Sequence, residues 1–184
     1  MPNPLTHLLW GYMVSRRLEA DPKLVAFGLA MSVLPDIDSI PFLGMYHHGF
    51  THTPFFVLFV CAIVYGSTRS RSLLLLALCN LGAHVALDAV ATGTPLMWLY
   101  PHTDAAIALG IGWNLPSSLV IKVFLFAFPL LYILQRYREH GEDPLEVLKL
   151  LEGALGRPTA ASMAAMAAVC VLYFDLSFYL VGIS

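Results

Sequence analysis

The stretch LLLLALCNLGAHVALDAVA, Leu73 to Ala91, reads as a helix made for lipid rather than for water. Crossing the hydrocarbon core of a bilayer takes about 20 mostly apolar residues, and this run meets that need while carrying two ionisable side chains, His84 and Asp88. Such groups are expensive within a span, so they face a bundle interior or a cavity and mark function. His84 and Asp88 stand one turn apart on one helix face, where both can grip a single ion or simply bond to each other.

The rest of the chain agrees with a membrane setting. Of 184 residues, 58% are hydrophobic and 12% charged, against about 25% charged in a usual soluble domain. No long polar linker divides the sequence, which predicts a single membrane domain over 1–184. The formal net charge is −2 and no dense basic run occurs, which argues against nucleic acid as a partner. Cys61, Cys79 and Cys170 are odd in number and lie in apolar stretches, so they read as packing residues rather than a disulfide framework. The N-terminus lacks the pattern of a removable signal peptide, so the first helix is expected to stay.

Working outward from Leu73 to Ala91, the expected spans are Leu24 to Gly44, Pro54 to Gly66, Leu73 to Ala91, Ser118 to Gln135 and Thr159 to Ile183. Pro4 to Leu18 is apolar but short and is expected to lie shallow or partly inserted. Asp143 to Leu155, with Leu145, Leu148, Leu151 and Leu155, fits an amphipathic surface helix. The fold class is therefore all-α: a polytopic membrane helical bundle of about five spans, a short N-terminal helix and a surface helix. Arg16, Arg17, Lys23, Arg69, Arg71, Arg136, Arg138, Lys149 and Arg157 fall in alternate connections. By the positive-inside rule these face the cytoplasm, and the loops Met45 to Thr53 and Thr92 to Ser117 face the other side. Trp10, Trp98, Tyr100 and Trp113 read as interfacial anchors. Asp175 reads as structural, lining the bundle or pairing with Lys122.

That topology brings polar groups to one level. Asp36 and Asp38 form a Pro-Asp-Ile-Asp turn at the outer end of the first expected span; His47, His48 and His52 enter the second; His84 and Asp88 close the third. Each alone has a bland reading: a turn-forming Asp pair, a hydrogen-bonded His such as His7, a His–Asp contact. Three separate segments converging at one depth point instead to a metal site. Imidazoles and carboxylates without thiolate suit zinc first, with manganese or iron as alternatives, and more than four ligands would allow two ions rather than one.

The motifs Thr6-His7-Leu8-Leu9, Leu34-Pro35-Asp36-Ile37-Asp38, His47-His48-Gly49-Phe50-Thr51-His52-Thr53 and Gly82-Ala83-His84 to Asp88, then Thr92, Gly93, Pro95 and Leu96 through Pro101, resemble the YdjM-like inner-membrane metal-dependent hydrolases. The resemblance covers residues 5–101. It implies an inner-membrane hydrolase with His7, Asp36, Asp38, His47, His52, His84 and Asp88 as metal ligands and Thr51 and Thr92 near substrate. Helix periodicity would pair His48 with His52, whereas the family pattern pairs His47 with His52. Where the family carries Arg, this chain has His48, a weaker and pH-sensitive cation counted here with the catalytic groups. The stretch from Asp88 to Pro95 is about one residue shorter than usual.

The expected mechanism is hydrolysis by a water that the metal acidifies, with Asp38 accepting its proton. A site facing the outer leaflet suits an ester or phosphoester of a membrane lipid or lipid-linked head group. The rival readings are a metal or proton transporter, which needs a second polar layer toward the cytoplasm, and a non-catalytic protein with a structural metal, which needs a closed coordination shell. Below the His/Asp level the first three spans offer Cys61, Cys79 and Asn80 but no ionisable residue, which favours a pocket over a path.

Overall fold

The computed structural model describes residues 4–19, 21–39, 49–91, 96–100, 102–103, 119–147 and 149–150. They form five α-helices: α1 (Pro4–Leu18), α2 (Pro22–Val33), α3 (Pro54–Thr68), α4 (Arg71–Ala91) and α5 (Leu119–His140), with short 3-10 helices at Leu34–Ser39 and Phe50–His52. No strand occurs among the described residues.

Local chemistry sets the boundaries. Asp21 caps α2 by accepting from Lys23 N at 2.8 Å, and Thr53 caps α3 by accepting from Phe56 N at 3.1 Å. Each cap precedes a proline at the first helical position, whose missing N–H is an orphan there anyway. Arg69 stops α3 in the left-handed conformation, φ 54°, with its N–H returning to Tyr65 O. The reversal lays α4 antiparallel against α3.

α4 is the central helix and packs against α1, α2 and α3. Beside it α1 and α2 approach each other closely because the facing residues are small. A Cβ on Gly11 would fall 2.3 Å from Ser32 Oγ, and one on Gly28 would fall 2.0 Å from Ser15 Oγ. Asn80, fully buried, donates to Ser15 Oγ at 3.1 Å and to Leu76 O at 2.9 Å. Small residues that let backbones meet, joined by a polar side chain, are how helices associate where lipid gives no hydrophobic drive.

α5 joins through a backbone defect. Pro129 lies inside it and has no N–H for Leu125 O, the carbonyl one turn earlier. Trp10 Nε1 donates to that oxygen instead, at 2.7 Å. Trp10 therefore ties α1 to α5 rather than serving only as an interfacial anchor. At the other end Arg16 meets Glu142 at 3.7 Å and Glu146 at 3.6 Å, and Arg136 also pairs with Glu142.

The outer surface is apolar. Phe55, Leu58, Phe59 and Ile63 on α3 and Val120, Val123, Phe124 and Leu131 on α5 are all exposed. α4 and α5, of 21 and 22 residues, are long and apolar enough to cross a membrane, about 31 and 33 Å at 1.5 Å per residue. The expectation of about five spans is not supported by helix length. Among the described residues of the stretch expected from Leu24 to Gly44, the α-helix ends at Val33, where the 3-10 helix that contains Pro35 takes over, so α2 has only 12 residues, and α3 has 15. Thr159 to Ile183, Asp175, Arg157, Trp113 and the loop residues 40–48 and 104–118 lie outside the described residues.

α1 packs against α2, α4 and α5 and buries Thr6, His7, Gly11, Tyr12 and Ser15. In the expected surface helix, Leu145 is exposed while Val147 is buried against Tyr12, Val25 and Ile133; Leu148 and residues 151–155 are outside the described part.

Candidate metal centre

The site forms where α1 begins, α2 ends and α4 ends. His84 comes from the last turns of α4. Its Nδ1 lies 2.7 Å from Ser32 O, one of the last four carbonyls of α2, which lack helical partners. A carbonyl only accepts, so Nδ1 carries a proton, and in the neutral ring Nε2 keeps a lone pair. His52, on the Phe50–His52 turn, is held alike: Nδ1 lies 3.1 Å from Asp38 Oδ2, and Thr51 Oγ1 donates to the same oxygen at 2.6 Å. With Nδ1 on that carboxylate, Nε2 of His52 points the other way, toward His84 and Asp88.

These two nitrogens face each other across 3.2 Å. Asp88 Oδ2 stands 3.2 Å from each of them. Asp36 Oδ1 lies 3.7 Å from His52 Nε2 and 3.6 Å from His84 Nε2. Four electron-pair donors thus surround one point. A tetrahedral ion with bonds of about 2.0–2.2 Å requires edges of about 3.3–3.6 Å between its ligands. The observed separations fit that polyhedron.

Burial sharpens the requirement. His7, His52, His84 and Asp88 are each at most 1% exposed, and the Asp36 side chain is 10% exposed. Both Asp88 oxygens and both His7 ring nitrogens are buried without a hydrogen-bond partner. Buried polar atoms left unpaired cost free energy, and donors aimed at a shared centre rather than at each other are satisfied by a cation. Donor atoms of His7, Asp36, His84 and Asp88 all lie within 4.8 Å of one another. A buried His/Asp cluster that can hold a metal ion is therefore present.

The chain matches the YdjM inner membrane protein family across residues 1–183. It belongs to that family. No curated protein and no solved structure matches it. The family match extends the resemblance seen in residues 5–101 to residue 183, and with the apolar exterior and two long apolar helices it makes this a membrane protein.

Within this family member the structure brings together His7, Asp36, His52, His84 and Asp88. Asp38 is near but differently placed: it meets His52 at Nδ1, on the opposite side of the ring from the converging atoms. Thr51 touches Asp38 and His52 Nδ1. His47, His48 and Thr92 lie outside the described residues. His102 is exposed.

Sequence reasoning missed Ser32, whose contribution is a main-chain oxygen with no side-chain signature. It also missed the close helix contacts beneath the site, for which a signal was present: Gly11 with Ser15 and Gly28 with Ser32 repeat the small residue one turn on.

Proposed function

We propose that this protein is a membrane-embedded metal-dependent hydrolase acting on an ester or phosphoester of a membrane lipid or lipid-linked molecule. The observation that carries the reading is the tetrahedron of His52 Nε2, His84 Nε2, Asp36 Oδ1 and Asp88 Oδ2, with the five edges that involve an imidazole at 3.2–3.7 Å, set in a protein whose outer face is apolar.

His52, His84, Asp36 and Asp88 hold the ion; the donor set suits zinc first, then manganese or iron. A divalent ion held there would supply a Lewis acid, and would acidify water wherever the cluster leaves a coordination position for it. The protein's own groups do the rest. Ser32 O and Asp38 lock the two imidazoles in the metal-ready tautomer, as carboxylate and carbonyl partners of metal-binding histidines do. Asp36, the most exposed of these carboxylates, accepts the proton of the attacking water on its second oxygen. Asp38, first expected to take that proton, acts instead as a positioning residue for His52.

The bundle is multi-pass in this reading, with α4 and α5 crossing fully and the shorter helices accommodated by local thinning. The site opens to the extracytoplasmic side, because Arg16, Arg17, Arg69, Arg71, Arg136 and Arg138 lie at the opposite helix ends. Transport is disfavoured because, among the described residues, Gly11 and Gly28 pack closely beneath the site and the polar groups there, Ser15 and Asn80, bond to each other. A structural ion is the second reading, favoured because protein atoms take all four corners.

Elemental mass spectrometry of detergent-purified protein, followed by a lipid-ester and phosphoester screen, tests the proposal. Bound metal lost in both His84→Ala and Asp36→Ala, together with turnover lost in the same variants, is the expected result. No metal after reconstitution overturns it, and metal without turnover on any substrate class leaves the structural ion.

A further inference from the structure

His7 is the cluster member that the tetrahedron does not use. It is 1% exposed, and neither ring nitrogen has a hydrogen-bond partner. His52 and His84 are anchored at Nδ1; His7 has no such anchor among the described residues. Its Nε2 approaches Asp88 at 3.4 Å, and it does so at Oδ1, whereas the tetrahedron uses Oδ2. The two oxygens of one carboxylate are divided between two groups of nitrogens.

The ring geometry adds a measure of length. His7 and His84 stack with centroids 3.8 Å apart and planes 20° from parallel. An imidazole binds a cation along its own plane, so two nearly parallel rings that both present Nε2 to one carboxylate direct their cations to positions offset by about the ring separation. Paired ions in two-metal hydrolytic sites stand about 3.5–4 Å apart. A carboxylate bridging such a pair places one oxygen on each ion, as Asp88 is arranged to do.

We infer that the site holds two divalent cations, one in the His52–His84–Asp36–Asp88 tetrahedron and a second between His7 and Asp88 Oδ1, with Asp88 as the bridge. The inference rests on the metal-site reading above and deepens it. The first position is closed by protein atoms. The second has His7 and Asp88 Oδ1, with a donor of Asp36 within 4.8 Å of His7's, and so retains positions for water and substrate oxygen. An open position is what separates catalytic from structural metal sites; here the His7 side provides it, and the closed tetrahedron no longer argues against hydrolysis.

The test uses full-length protein in detergent, reconstituted with manganese(II) and measured for metal-to-protein ratio and by electron paramagnetic resonance. Two ions per chain with the multiline spectrum of a magnetically coupled pair are expected in the wild type. His7→Ala should fall to one ion with an uncoupled signal, and Asp88→Ala should lose both. One uncoupled ion in the wild type overturns the two-cation inference while leaving a one-ion hydrolase standing, whereas no bound ion overturns both readings. If His7→Ala does not fold, the wild-type ratio and spectrum decide alone.

Discussion

His52 and His84 present their Nε2 atoms to each other across 3.2 Å, although both rings are held in the tautomer that leaves those atoms as lone pairs. Two acceptors at that distance, with Asp88 Oδ2 at 3.2 Å from each, repel unless a cation lies between them. The partners behind the rings, Asp38 and Ser32 O, are thus as much a part of the centre as the ligands.

Asp38→Asn should weaken metal affinity by about 10- to 100-fold, the usual effect of losing an outer partner of a metal-binding histidine, while metal still binds at saturation. His52→Ala should abolish stoichiometric binding. Competition with a chelator of known affinity separates the two outcomes, and equal losses would make Asp38 a ligand after all.

Trp10→Phe removes the donor to Leu125 O and should cost about 1–3 kcal/mol, the penalty for an orphaned buried carbonyl. Pro129→Ala restores a backbone N–H to that same oxygen. The double variant should therefore be less destabilised than the sum of the two single changes. Detergent thermal melts of the four proteins give the coupling.

Gly28→Ala should destabilise by about 1–3 kcal/mol, as overpacking does, because its Cβ would fall 2.0 Å from Ser15 Oγ. Gly66→Ala meets nothing within 4 Å and should instead stabilise by roughly 0.5–1 kcal/mol through helix propensity. Opposite shifts in melting temperature are the check.

Glu142 is held below the ordinary carboxylate range by its hydrogen bonds from Arg136, with Arg16 adding to the effect. A depressed folded pKa means that its contribution is complete above the unfolded value and is lost as pH falls through the folded one. Solvent screening limits it to about 0.5–1 kcal/mol. Acidification below about pH 4.5 should erode this tie between α1 and α5, and Glu142→Gln should melt earlier at pH 7 with that part of the pH dependence gone.

Much was readable before any coordinates. Apolar run length marks α4 and α5, because bilayer thickness sets a simple requirement on composition. Pro35 announces the end of α2, and the one-turn spacing of His84 and Asp88 puts them on a common face whatever surrounds them. Local backbone rules decide those features, and a sequence obeys them without knowing its neighbours.

The division of labour among the polar residues was decided elsewhere. Asp36 and Asp38 look equivalent in the chain, yet the 3-10 turn sends Asp36 to Nε2 of His52 and Asp38 to Nδ1. His7 joins the cluster only because Gly11 and Gly28 let α1 and α2 come close. The Ser32 carbonyl reaches His84 across 52 residues of sequence, and Trp10 reaches Leu125 across 115. Apolar periodicity and spacing determined which segments are helices and which residues can share a face; the rotation and approach of those helices, fixed by close packing in three dimensions, decided which atoms meet.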